Sequence, residues 1–137
     1  MDCLINKREN MKKNIVSTDK APAAIGPYSQ GVKAGGFLFL SGQIPLVPES
    51  GEMVAGGIEE QTKQVMLNME AILKSQGLGL DHVVKTTIFL TDLTQFVAVN
   101  DIYGSFFQAN PPARSTIQVA ALPKGALVEI EAVILLD

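Results

Sequence analysis

The stretch Leu127 to Leu136 limits the fold more than any other part of this chain. Side chains alternate across a strand. Val128, Ile130, Ala132, Ile134 and Leu136 therefore share one side, and Leu127, Glu129, Glu131, Val133 and Leu135 share the other. Both sides are mostly apolar, the pattern of a central strand covered on both faces rather than of an edge. Phe37, Leu38, Phe39 and Leu40 repeat it earlier in the chain. A sheet with such strands needs cover on each face, and the remaining elements decide what can supply it.

Lys13 to Ser17 reads as a short strand, and Ala21 to Gln30, with two prolines and a glycine, as a loop. Gly31–Ala34 and Phe37–Ile44 read as strands turned at Gly35-Gly36. Ile58 to Gln76 is the clearest helix, with Ile58, Thr62, Val65, Met69, Ile72 and Leu73 on one stripe. Glu59 and Glu60 suit its positive N-terminal end, and Gly77 supplies a stop. Val83–Leu90 is a β-branched, aromatic strand. Asp92 and Gln95 resemble a capping box opening a second helix, whose buried side would be Leu93, Phe96, Val99, Tyr103, Phe106 and Phe107. Arg114–Leu122 and Leu127–Leu136 complete the order β-β-β-α-β-α-β-β, a single α+β domain with a mixed sheet. Right-handed crossovers put both helices on one face. The other face is left apolar and open, so self-association is expected to cover it.

The 137 residues suffice for one domain, 12–137, preceded by a polar segment, 1–11, expected to be disordered. Residues 1–20 carry five basic and three acidic side chains (5 − 3 = +2), and residues 21–137 carry six and eleven (6 − 11 = −5). An acidic body without a basic stripe argues against nucleic acid as a partner. The sole cysteine, Cys3, allows no intrachain disulfide. The charged start has no apolar run of signal-peptide length, and no segment is long enough to span a bilayer, so a cytoplasmic protein is expected.

Several side chains invite chemistry. Arg114 is the only arginine after Arg8, and its guanidinium fork matches a carboxylate. A surface ion pair is the plainer role for it. Glu129 and Glu131 are carboxylates on an apolar strand, which calls for either an ion pair between subunits or a role in catalysis such as deprotonating water. Tyr28, Ser29, Ser41, Gln43 and Asn100 stand beside Gly or Pro or in polar turns, where turn chemistry is the commoner explanation. His82, the only histidine, has no paired His or Cys, so neither a metal site nor a His-activated nucleophile is supported, and the glycines form no phosphate-binding loop. Read as a hairpin, the last two strands pair Ala120 with Glu129 and set Arg114 six residues, roughly 20 Å, away along the strand. The two could then share a site only across a subunit boundary.

Three segments, in order and spacing, resemble the Rid/YjgF family: Ala21-Pro-Ala-Ala-Ile-Gly-Pro-Tyr-Ser-Gln30, Phe39-Leu-Ser-Gly-Gln-Ile-Pro45, and Pro112-Ala-Arg-Ser-Thr-Ile-Gln-Val-Ala-Ala-Leu-Pro-Lys-Gly-Ala-Leu-Val-Glu-Ile-Glu-Ala132. The resemblance implies a fold like bacterial chorismate mutase, with the last strand between the third and fourth instead of in a hairpin. It implies a homotrimer whose central barrel covers the open faces, with active sites in the clefts between subunits. It makes Arg114 the carboxylate anchor and matches Glu129 to the residue that positions the attacking water. Tyr28, Ser41 and Asn100 match further cleft residues, and backbone near Gly42 and Thr116 would contact the bound acid. The activity implied is cofactor-free hydrolysis of 2-imino acids, formed from enamines such as 2-aminoacrylate and 2-aminocrotonate, to 2-keto acids and ammonia. Thr116 stands where many bacterial members have cysteine, so thiol chemistry is absent there. Other readings are a non-catalytic keto- or amino-acid binding module, a ribonuclease or translation inhibitor, and a chaperone-like protein.

Overall fold

The computed structural model describes residues 12–137. The expected disordered extension, residues 1–11 with Cys3, lies outside the described residues. The strands are β1 (Asn14–Val16), β2 (Gly31–Ala34), β3 (Phe37–Gln43), β4 (Val83–Leu90), β5 (Ala113–Gln118) and β6 (Val128–Leu135). The helices are α1 (Ile58–Ser75), between β3 and β4, and α2 (Phe96–Phe106), between β4 and β5. They form one mixed sheet in the order β1-β2-β3-β6-β4-β5. Only β4 and β5 are parallel neighbours; the other pairs are antiparallel.

Each element has a local cause. Gly35 and Gly36, at φ +59 and +84, give the β2–β3 hairpin the left-handed turn that matches strand twist. The α1 stripe is buried as its spacing requires, and Gln61, Met66 and Asn68 widen it. Glu60 Oε2 accepts from the Gly57 N–H at 2.9 Å, closing the first turn. The second helix departs from expectation. Asp92 accepts from the Thr94 N–H and caps a 3-10 turn, Leu93–Gln95, and α2 begins only at Phe96. Leu93 is consequently exposed instead of buried, and of the expected side Val99 and Tyr103 are fully buried.

The insertion of β6 between β3 and β4 corrects the hairpin reading. Leu122 and Ala126 flank a 3-10 turn, Pro123–Gly125, and β6 then runs two places inward from β5. The physical reason lies in β6 itself. Val128, Ile130, Ala132 and Ile134 are buried beneath α1, and an edge position would have left half of that row without a neighbour. Both helices cover this face and pack on each other. The opposite face is open: Phe37, Phe39, Ile117 and Leu135 are each more than a third exposed. The burial of β6 on both sides is thus complete on one face only within the protomer. Among the described residues, no helix is long and apolar enough to cross a membrane.

Candidate functional site

The candidate residues fall into two groups on opposite faces of the sheet. Tyr28, Ser41, Gly42 and Glu129 line one cavity of about 690 Å³, together with Ile25, Ile44, Lys124 and Glu131. Its wall from residues 21–30 is held by Gln30, a buried amide not singled out from the sequence. Gln30 Oε1 accepts from the Thr18 N–H at 2.6 Å, and Nε2 donates to the carbonyls of Thr18, Ala21 and Pro22. The Ser41 hydroxyl donates to the Ser29 carbonyl and keeps lone pairs free to accept. Tyr28 is half-exposed, its hydroxyl accepting from the Ile25 N–H at 3.3 Å.

Glu129 is aimed by an irregularity in β3. Leu40 pairs with Ala132 and Gln43 with Ile130, so Ser41 and Gly42 together oppose Glu131, the arrangement of a β-bulge. Gly42 is brought against the Glu129 carboxyl group. A Cβ at Gly42 would stand 2.8 Å from both Cδ and Oε2 of Glu129. Glycine is what lets the carboxylate lie flat over β3. Burial, and then the charge of Glu131, pushes the Glu129 carboxyl above its ordinary pKa. Among the described residues it has no ion-pair partner.

The second group lies between β5 and α2. The Arg114 guanidinium carbon is 5.4 Å from the Phe96 ring centre and 5.1 Å from that of Tyr103, so two aromatic faces hold it. Tyr103 is fixed in turn by a 2.7 Å hydrogen bond with Thr86. Its burial raises the phenol pKa, outweighing that bond and the Arg114 charge. Asn100 shares a helix face with Phe96 and Tyr103, and Thr116 shares a strand face with Arg114. Asn100 Oδ1 and Thr116 Oγ1 are buried without any hydrogen-bond partner among the described residues. Two such orphans beside a cation are unusual in a finished interior. The aromatic clasp was legible from sequence only as an apolar helix stripe.

The two groups do not meet within one chain. Glu129 is in register with Phe89, and Phe89 with Ile117, three residues beyond Arg114 and two strands away from Glu129. That separation is roughly 14 Å between Cα atoms, in place of the hairpin value. More decisively, Arg114 pairs with Thr86 on the helix face, whereas Glu129 pairs with Phe89 on the open face.

Residues 18–136 match the Endoribonuclease L-PSP family profile. This chain belongs to the Rid/YjgF (Endoribonuclease L-PSP) family. It is 55% identical over 124 residues to Reactive Intermediate Deaminase A, chloroplastic, of Arabidopsis thaliana, spanning 90% of this chain and 66% of that protein. It is 51% identical to the human 2-iminobutanoate/2-iminopropanoate deaminase, with 88% of each chain covered. Among solved structures, E. coli TdcF with bound serine superposes with a TM-score of 0.85 at 43% identity, covering 89% of this chain and 98% of that one.

Proposed function

We propose that this chain is a deaminase that hydrolyses reactive 2-imino acids to 2-keto acids and ammonia. The observation that carries the reading is Glu129, a half-buried carboxylate without an ion-pair partner among the described residues, held over Gly42 in a cavity that also presents Tyr28 and Ser41. Deaminase names on relatives at about half identity support it.

In this reading a substrate carboxylate pairs with the two-pronged Arg114, which Phe96 and Tyr103 keep from rotating. Water attacks the imine carbon as Glu129 takes its proton, forming a carbinolamine. Glu129 returns that proton to the nitrogen, the carbinolamine hydroxyl proton then passes to the same nitrogen, and the C–N bond breaks to release ammonia as the carbonyl forms. A carboxylate whose pKa lies above the ordinary value is the stronger base toward the attacking water. The free lone pairs of Ser41 accept from the imine N–H, and the orphaned Thr116 hydroxyl donates to the acid end of the substrate. Positioning accounts for most of the acceleration, because free imines already hydrolyse in water.

Arg114 and Glu129 face opposite sides of the sheet, so one chain alone does not assemble this site. We infer a homotrimer in which each open face is covered by neighbours and Arg114 of one protomer completes the cavity of the next.

The test is a coupled assay in which a dehydratase releases 2-aminoacrylate or 2-aminocrotonate and keto-acid formation is followed. Wild type is expected to accelerate release, and Arg114→Ala to lose about 100-fold or more in kcat/KM, the range of a lost bidentate anchor together with its orientation. Equal acceleration by the two would remove Arg114 from its role. The serine bound to E. coli TdcF favours a second reading, a non-catalytic amino- or keto-acid binding protein. Saturable binding without turnover would establish that one instead.

A further inference from the structure

Glu129 is not the only acid on its cavity. Glu131 stands two residues further along β6, on the same strand face, and lines the same space. Two such side chains are roughly 7 Å apart. Two lysines, Lys124 and Lys85, share cavities with them. The β3 segment contributes the uncharged Ser41, Gly42 and Gln43. On β4, Phe89 is opposite Glu129 and Thr87 is opposite Glu131. The 21–30 loop adds Tyr28, and the turn after Leu122 adds Lys124, the one cation on this wall among the described residues. Further along β4, Lys85 lines a second cavity with Glu131 and donates to the Ser115 hydroxyl at 3.2 Å. Among the described residues neither glutamate is in an ion pair.

We propose that Glu131 is a positioning residue for the hydrolysis, its negative charge acting through the Glu129 carboxylate held over Gly42 in the same cavity. This rests on the reading of Glu129 as the group that activates water. Repulsion between like charges normally relaxes when one side chain swings away. Here Glu129 lies in the slot that Gly42 leaves open, walled by β3, so its position over Gly42 limits that escape. The unfavourable interaction is relieved instead when Glu129 takes a proton, which is the event the reaction requires. The direction of the Glu129 pKa agrees, with burial as the larger cause and Glu131 as the second.

The test is carboxyl 13C NMR on the full chain labelled at glutamate, with the Glu129 signal identified by its loss in Glu129→Gln. Glu131→Gln is expected to move the Glu129 titration midpoint to lower pH. In the imine assay it should retain more of its neutral-pH kcat/KM than wild type on the acid side of the profile, by up to about threefold. That factor corresponds to two unit charges roughly 7 Å apart in a water-like medium. Glu131→Asp should behave like wild type. Arg114, Lys124 and Tyr28 are the same in all three proteins, so a difference belongs to position 131. An unmoved midpoint in Glu131→Gln overturns the proposal, and a moved midpoint with an unmoved rate profile overturns its link to the reaction. Full activity in Glu129→Gln would instead defeat the reading of Glu129 itself, whatever the titration shows.

Discussion

At the scale of single residues, Gly42 and Glu129 act as one unit. Alanine at 42 would bring its Cβ to 2.8 Å from the Glu129 carboxyl group, but the atoms it meets are the far end of a side chain, not backbone. The strand can therefore stay while the carboxylate moves. Gly42→Ala is expected to unfold within about 1 kcal/mol of wild type, the range of a Gly-to-Ala change at a tolerated site. Its kcat should fall about 100-fold, the scale of a misplacement near 1 Å. Thermal melting and the imine assay, run on the same preparation, separate the two effects. Loss of fold together with activity would contradict this account. Glu129 was legible in the sequence because an acid on an apolar strand needs an explanation. The Gly42 slot was not, because it comes from a bulge formed with a strand far away in sequence.

At the scale of elements, the loop from Thr18 to Gln30 has no ladder of its own. Gln30 replaces one, its side chain meeting one backbone N–H and three carbonyls. Gln30→Leu keeps the volume but strands those groups, at a cost of about 2–4 kcal/mol for several half-buried bonds. The urea midpoint should drop accordingly. KM should rise more than kcat falls, because this loop carries Ile25 and Tyr28 on the cavity wall while Glu129 sits on β6. A fall in kcat alone would argue that the loop is not part of the binding surface. The elements themselves were mostly readable. The buried stripe of α1 and the span of β4 follow from periodicity, and the β2–β3 turn follows from two glycines. The start of α2 was misjudged because Asp92 can cap a 3-10 turn as readily as an α-helix, and nothing local distinguishes them. Strand order escaped local reading altogether, since a four-residue connector suits a hairpin and a jump across the sheet equally. The two-sided apolar pattern of β6 was the only residue-level sign against the hairpin.

At the scale of the whole molecule, that same pattern is half explained within the protomer. Val128, Ile130, Ala132 and Ile134 lie under helix, while Val133 and Leu135 continue an apolar surface through Phe37 and Phe39 that no described residue covers. Contiguous apolar surface of this kind marks an interface. The proposed trimer would give a sedimentation mass near three times 14.6 kDa. A sharper test uses the division of the site. Arg114→Ala and Glu129→Gln should each be inactive alone, because each removes one half of every cleft. Co-refolding them in equal amounts gives mixed rings. A cleft works when one protomer supplies an intact Arg114 and its neighbour an intact Glu129, so random mixing restores about one quarter of the wild-type activity. Within a single chain the same mixture restores nothing, since every protomer then lacks one of the two groups. Recovery near a quarter would therefore fix both the partition of the site and the need for a second copy. Its absence, with intact rings present by mass, would place Arg114 and Glu129 in separate roles.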